Sequence, residues 1–474
     1  MRSTRNIAIL AGIAAALAAA GAANADVVIS SAATSSMACS NGVCAPTAKD
    51  ATLNVTDLEN LLASGNVKVT TTGSGVQANN ITVGTPLSWS ATNTLALDAS
   101  RSITINKTLS VDGQGGLSLI TNDGGAGGAL SFGPKGHAVI ANLSSPLTIN
   151  GTAYTLVNSV QTLASAIAAN PSGDFALANN YDAKVDGTYS AAPVQTGFTG
   201  EFEGLGNAIS HLSINGSGYI GLFEVEYGVA ENMKLIDVRL TVSGGSQVGG
   251  FAGVAGDISR VSVSGTIRGI GNMGNDIGGV TAIGGNLVGC SSNIEIIENQ
   301  QSAIGGLASI GDSDQSFAAG TISATADGSI VGGLISTNEG TIQNSYASIA
   351  VTGGSHTKIG GLVGTNGQGK LTPGIIQTSY SSGAVSDKKH GDAGGFVGVA
   401  YKVHGQSEIE QSYWDTTTSG TDKGTGRGNK KGITGLTTEQ LQSGLPDGFD
   451  PKVWAEDPKI NNGLPYLINN PPEE

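Results

Sequence analysis

Ile359-Gly360-Gly361-Leu362-Val363-Gly364-Thr365-Asn366 decides the fold, because its glycine-then-apolar core recurs through the middle of the chain. The other copies are Gly221-Leu222-Phe223, Gly249-Gly250-Phe251, Gly278-Gly279-Val280, Gly305-Gly306-Leu307, Gly332-Gly333-Leu334 and Gly394-Gly395-Phe396. Measured from the second glycine of each pair, the steps are 29, 29, 27, 27, 28 and 34 residues. A period of roughly 20–50 residues is the signature of a solenoid, in which each unit buries its apolar face by stacking on the next.

The units read as β rather than α. Glycine at this density would cost about 1 kcal/mol at each helix-interior position. Between the glycines lie short alternations such as Val261-Ser262-Val263, Ile294-Glu295-Ile296 and Ile349-Ala350-Val351, the period-two pattern of strands with one buried face. A second column places Val261, Cys290 and Phe317 in register, eleven residues past the marker glycine, with Tyr346, Tyr380 and Tyr413 in the matching place of later units. The glycine pairs fit corners, where positive φ or close backbone approach excludes a Cβ.

Composition supports an exported, elongated chain. Of 474 residues 73 are glycine and only 13% are charged, against about 7% and about 25% in an ordinary globular protein. Residues 1–25 read as a secretory signal: Arg2 and Arg5, the apolar run Ile7 to Ala20, then Ala23-Asn24-Ala25 before Asp26. Its removal takes the net charge from −14 to −16, which disfavours nucleic acid and anionic membranes as partners. No other stretch is apolar enough to enter a bilayer. Cys39 and Cys44 are expected to form a disulfide around an Asn41-Gly42 turn, in keeping with an oxidising compartment. Cys290 falls in the stacked column and is expected to be a buried, inert thiol.

Along the chain, residues 26–50 read as a loop-like segment carrying the disulfide, and 51–158 as coil turns of less regular period. Residues 159–215 hold a short helix, Val160 to Ala169, and a lead-in to the array. The repeats span 216–400, and 401–474 form a cap. In the cap a mobile loop is expected from Ser419 to Gly432, a helix start at Thr437-Thr438-Glu439-Gln440, and closure of the open end by Trp454, Leu464, Pro465 and Tyr466.

The repeats at Val331–Ile335 and Ile359–Asn366 resemble the GLUG motif of secreted bacterial proteins, although Gly284-Gly285-Asn286 departs from it. Ser412-Tyr413-Trp414-Asp415-Thr416 and Asn461-Asn462-Gly463-Leu464-Pro465-Tyr466-Leu467 resemble the closing segment of the same proteins. Residues 51–160, with Leu87-Ser88-Trp89-Ser90 and Ile149-Asn150-Gly151-Thr152-Ala153-Tyr154, are similar to part of filamentous-haemagglutinin-like exoproteins. The resemblance implies an all-β, right-handed, single-stranded parallel β-helix on an adhesin-like exoprotein. Expected partners are extracellular glycans or cell-surface proteins, with an outer-membrane transporter for export. The location is extracellular or at the cell surface, and periplasmic without a transporter. Roughly 15–20 turns are expected, on the order of 80 Å in length.

Parallel β-helices also carry polysaccharide lyases and hydrolases, which use carboxylates grouped on one face. The nearest constellation is Asp257, Asp312 and Asp314, in equivalent turns without a nearby Lys or Arg, and these read as solvated turn residues. His137, His211, His356, His390 and His404 show no metal-ligand spacing. Asp123-Gly124-Gly125-Ala126-Gly127-Gly128 is similar to a calcium-binding turn without its repetition, and Lys388-Lys389-His390 reads as a solvated turn. No catalytic residue, cofactor or metal is assigned. The expected function is binding along extended faces, the alternatives being a polysaccharide-active enzyme or a structural matrix protein.

Overall fold

The computed structural model describes residues 26–367, 373–401 and 408–472; the expected leader, residues 1–25, lies outside them. The chain is a parallel β-helix of about 14 turns. That is fewer than the 15–20 expected, because two ten-residue helices and the segment after Leu436 do not coil.

Three parallel sheets line the first stack of turns. One contains Ala51–Asn54, Asp26–Ser30, Asn80–Val83, Ile103–Ile105 and Leu130–Phe132 in that spatial order. A second stacks Val67–Thr70, Leu95–Asp98, Leu117–Ile120 and Leu147–Ile149, and a third Leu87–Trp89, Thr108–Val111 and His137–Ile140. Alternation does the sorting: Ile103 and Ile105 are fully buried, while Thr104 between them faces outward beside Ser131.

Two expectations for this region need correction. Residues 26–50 are not a loop: Asp26–Ser30 is an inner strand, paired on both sides because Val27 and Ile29 alternate into the core. The helix Val55–Ser64 was unforeseen among the strand-like fragments. Asn54 caps it, accepting from the Thr56 and Asp57 N–H groups, and Leu58 and Leu62 bury its inner face. It lies over the first turn, where Leu62 O accepts from Asn93 Nδ2 at 2.7 Å.

The chain direction reverses between the two stacks. Leu147–Ile149 and Thr152–Val157 pair antiparallel, reversing the chain before the helix Val160–Ala169. That helix begins in a Ser159–Thr162 capping box, buries Val160, Leu163 and Ile167, and ends at Asn170. Asn207, fully buried, ties the stacks together by donating from Nδ2 to Ala138 O and Leu177 O, both at 2.8 Å.

In the second stack the glycine pairs close a seven-stranded sheet of short strands, Tyr219–Ile220, Gln247–Val248, Asp276–Gly278, Ala303–Gly305, Ile330–Gly332, Lys358–Gly360 and Asp392–Gly394. The pairs are corners through crowding rather than positive φ. A Cβ on Gly333 would lie 2.0 Å from Gly361 O, one turn on. Gly306 N donates to Gly333 O at 3.1 Å, which repeats the contact a turn earlier.

The second column divides. Ser262 pairs with Ser291, so Val261 and Cys290 are aligned; Phe317, however, sits opposite Ser291. Gly279 to Cys290 is eleven residues, but Gly306 to Ser316 is ten, and a one-residue slip moves a side chain to the other face of the sheet. Ser316, Ser345, Ser379 and Ser412 take the inner place. Their hydroxyls are satisfied along the coil: Cys290 N donates to Ser316 Oγ at 2.9 Å, Ser345 N to Ser379 Oγ at 3.1 Å, and Ser345 Oγ to Gln343 O at 2.7 Å. Phe317, Tyr346, Tyr380 and Tyr413 therefore line the outside. The first three are face-stacked, with centroids 4.9 and 5.0 Å apart.

That outer stripe is where the carboxyl-terminal segment goes, so it does not close the open end as expected. The segment begins with Thr438–Leu441, capped by the Thr437–Gln440 box, and runs back along the flank. Tyr413 Oη donates to Asp447 O at 2.8 Å and Tyr380 Oη to Pro465 O at 2.6 Å. Asn470 Nδ2 reaches Gln315 O and Cys290 O, both at 3.1 Å. Trp454 packs 6.0 Å from Tyr346 and 5.9 Å from Tyr380. Four exposed aromatic rings needed a cover, and this segment supplies it. The stretch Ser419 to Gly432 is also partly ordered: Thr425–Gly428 pairs with Val397–Ala400.

Candidate functional site

Asp257 and Asp312 are drawn into one column, separated by Asn286 of the intervening turn. Asp257 Oδ1 accepts from Asn286 Nδ2 at 2.9 Å, Asp312 Oδ1 from Thr341 N at 2.7 Å, and Asp314 Oδ1 from Asn344 Nδ2 at 3.2 Å. Each carboxylate thus holds the next turn in place. Among the described residues none of the three forms an ion pair with Lys or Arg.

Two buried carboxyls that the sequence did not single out are strongly perturbed. Burial pushes Glu203 up to about 8, against the hydrogen bonds it accepts from Asn232 Nδ2 at 2.9 Å and Leu205 N at 2.7 Å. Burial likewise raises Glu226 to about 7, with Asp257 adding repulsion. Both are sealed beneath the surface, at 5% and 0% exposure, where no polymer could reach them. Their alternation pattern resembles that of any polar residue beside a strand, so only the packing identifies them.

The remaining candidates are local. His211 Nδ1 lies 2.8 Å from Asp182 Oδ1, and His356 and His390 stack on successive turns at 5.8 Å; His404 lies outside the described residues. The glycine turn after Asp123 is closed by Asn122, which exchanges hydrogen bonds with Gly128. Hydrogen bonding to Asp98 and repulsion by it raise the Asp123 carboxyl, while Lys68 pairs with Asp98. Lys388 Nζ lies 3.5 Å from Thr325 O on an exposed turn. Among the described residues no group of three or more His, Cys, Asp or Glu could hold a metal ion. Cys39 and Cys44 form a disulfide joining the strands Met37–Ser40 and Val43–Pro46. Cys290 is fully buried, and burial pushes its thiol up to about 12.

Several grooves among the described residues have the dimensions of a binding site, with volumes of about 450, 400 and 360 Å³, and the first of them brings together the most distant parts of the chain. All three lie within the range of roughly 300–1,000 Å³ that ligand clefts occupy. The floor of the first is the outer face of four successive turns, presenting Lys234, Ser262 with Ser264, Ser291 with Asn293, and Ala319 beside Phe317. Phe132 and Pro134 from the first stack wall one end, and Asn469 to Pro472 the other. Lys234 Nζ donates to Pro134 O at 3.2 Å, and Arg260 bonds Asn232 Oδ1 through Nε at 2.7 Å and Glu231 through a terminal nitrogen at 3.3 Å. Segments about 100 and 180 residues apart in sequence form it, so no local motif could have revealed it.

No family model matches the chain. Over 235 residues it is 32% identical to halomucin of Haloquadratum walsbyi, which is 48% of this chain but 2% of halomucin. A crystal structure from Bacteroides ovatus, described as that of a candidate immunoglobulin A1 protease, aligns with 67% of this chain and 93% of its own, at 17% identity and a TM-score of 0.43. That score is too low for the fold or function of this chain to be read from it.

Proposed function

We propose that the chain is a non-catalytic, adhesin-like β-helix of the GLUG type, acting outside the cell or at its surface by binding glycans or cell-surface proteins along its flanks. The observation that carries this reading is the outward face itself. Ser264 and Thr266, then Asn293 and Glu295, then Ala319 and Thr321 stand turn upon turn in register, a largely polar ladder about 4.8 Å apart. Such a face suits many weak contacts with an extended partner. The Cys39–Cys44 disulfide favours an oxidising compartment, and the partial likeness to halomucin is consistent with a surface setting. No helix among the described residues is long and apolar enough to cross a membrane. The test is a glycan array and a cell-attachment assay on the full chain, alongside incubation with acidic polysaccharides. Saturable attachment without release of reducing ends is expected; turnover of any polysaccharide would refute the non-catalytic reading.

A further inference from the structure

Lys68, Asp98 and Asp123 meet on three successive turns of the first stack. Lys68 lies opposite Ala96 where Val67–Thr70 pairs with Leu95–Asp98, and Asp98 is two residues further on, so the lysine reaches it diagonally. Lys68 Nζ is in direct contact with Asp98 Oδ2. Asp98 in turn pairs with Ile120 of the next strand. Three residues past Ile120 the Asp123 N–H donates to Ala99 O at 3.1 Å, which holds the Asp123 carboxyl against that of Asp98. Val69, Leu97 and Leu119, fully buried on the inner face of the same strands, fix this register.

The pair differs from the other ion pairs of the molecule. The Asp98 side chain is 3% exposed, and among the described residues no N–H or hydroxyl donates to its Oδ1. A desolvated carboxylate needs donors. The facing acid, Asp123, supplies one by keeping its proton: hydrogen bonding to Asp98 and repulsion by it raise the Asp123 carboxyl. Arg239, Arg260 and Arg427 also pair with carboxylates, but those are at least 30% exposed. A guanidinium, moreover, does not give up its proton to become a nucleophile, whereas a lysine does. An amine, a buried carboxyl in contact with it and a second carboxyl able to donate to the first make up an amide-forming site. The half-exposed Lys68 stem leaves the product water a path out.

We propose that Lys68 and Asp98 condense without any other reagent into an isopeptide bond, with Asp123 as the catalytic acid. Within the ion pair a proton passes from Lys68 Nζ to Asp98 Oδ2, leaving a neutral amine against a carboxylic acid. Nζ attacks Asp98 Cγ, and the Asp123 O–H donates to Oδ1 as negative charge gathers there. A second Nζ proton passes by way of Asp123 to Oδ2, the Cγ–Oδ2 bond breaks, and Oδ2 departs as water. Asp123 ends protonated, as it began. Ammonium and carboxylate together thus lose one water and become an amide. Their fixed positions on neighbouring strands supply the high effective concentration that favours this condensation. The bond ties consecutive turns, so the coil cannot unwind there without breaking it. The proposal is independent of glycan binding.

The test is the intact mass of the purified full chain, denatured and with its disulfide reduced. The mass should lie about 18 Da below that of its residues, one water lost, and proteolysis should release a branched peptide joining Lys68 to Asp98. Lys68→Arg, which keeps the ion pair but cannot condense, should restore the full mass and melt at a lower temperature; circular dichroism establishes that it folds. Asp123→Ala should leave most of the chain without the branched peptide. A wild-type chain at full mass overturns the proposal. So does a deficit that survives Lys68→Arg, since the water is then lost elsewhere, as in a succinimide at an Asp-Gly step. Branched peptide formed as completely by Asp123→Ala as by the wild type overturns the role of Asp123.

Discussion

Trp454→Ala should release the carboxyl-terminal segment while leaving the coil intact. Trp454 is 1% exposed and packs against Tyr346, Tyr380 and Phe449, the last at 4.5 Å. Deleting a buried Trp to Ala costs about 3–5 kcal/mol. The indole Nε1 has no hydrogen-bond partner, so removing it recovers on the order of 1 kcal/mol of stranded polarity, and the lower end of that range is expected. At about 1.4 kcal/mol per decade, 3 kcal/mol is a loss of roughly two decades in protection of the segment's amides. Hydrogen exchange should show it at Ile468 and Trp454, whose N–H groups bond Val453 O and Asp450 O. Coil amides such as Tyr346, bonded to Ser316 O, should change far less, because each turn is stabilised mainly by its neighbours. Uncovering the aromatic stripe should also raise binding of a hydrophobic dye. Equal loss of protection in coil and segment, or none in the segment, would refute the idea of a separable lateral cover.

Other outcomes follow from the same packing. The folded pKa of Glu203, about 8, lies above the ordinary glutamate value of 4.5, so its contribution is fully present below pH 4.5 and is lost as pH rises through 8. Thermal stability should therefore fall by up to several kcal/mol across that window, and Glu203→Gln should flatten the profile; an unchanged slope would contradict the burial argument. Gly333→Val places a Cβ 2.0 Å from Gly361 O, so soluble expression or melting temperature should drop sharply, and a wild-type melting curve would refute the crowding account. Native protein at pH 8 should show no thiol reactive towards an aromatic disulfide reagent, and one after denaturation, because Cys290 is buried with its pKa raised to about 12. Prompt labelling of the native chain would place Cys290 elsewhere.

The coil was legible because its cause is local and repeated: a glycine pair wherever one turn presses on the next, and alternation that sorts inside from outside. The helix Val160–Ala169 was equally legible, since Ser159, the apolar face and Asn170 are all within one stretch. The sidedness of the Phe317, Tyr346, Tyr380 and Tyr413 column was not. A single missing residue between Gly306 and Ser316 shifts the face, and counting from the glycine cannot see which residue the coil drops. The left-handed backbone at Gln315, Asn344, Thr378 and Gln411, each with φ between 44° and 48°, marks the true register, and the x-Ser-aromatic triplets carry that signal in the sequence. The groove was illegible for a different reason: Lys234, Phe132 and Asn470 meet only after both stacks and the flanking segment are in place.

Because the carboxyl-terminal segment lies along the side, the coil's final rung is left bare. Among the described residues the strands Thr425–Gly428 and Ile433–Leu436 pair only with the turn before them, leaving a row of unmatched amides and carbonyls. Such a rim would ordinarily recruit another molecule's rim, but Lys423, Lys430 and Lys431 flank these strands in the sequence, while Arg427 is held by Asp392 at 3.0 Å, and like charges brought face to face repel. The molecule thereby has a built-in deterrent against growing into a fibre from that end.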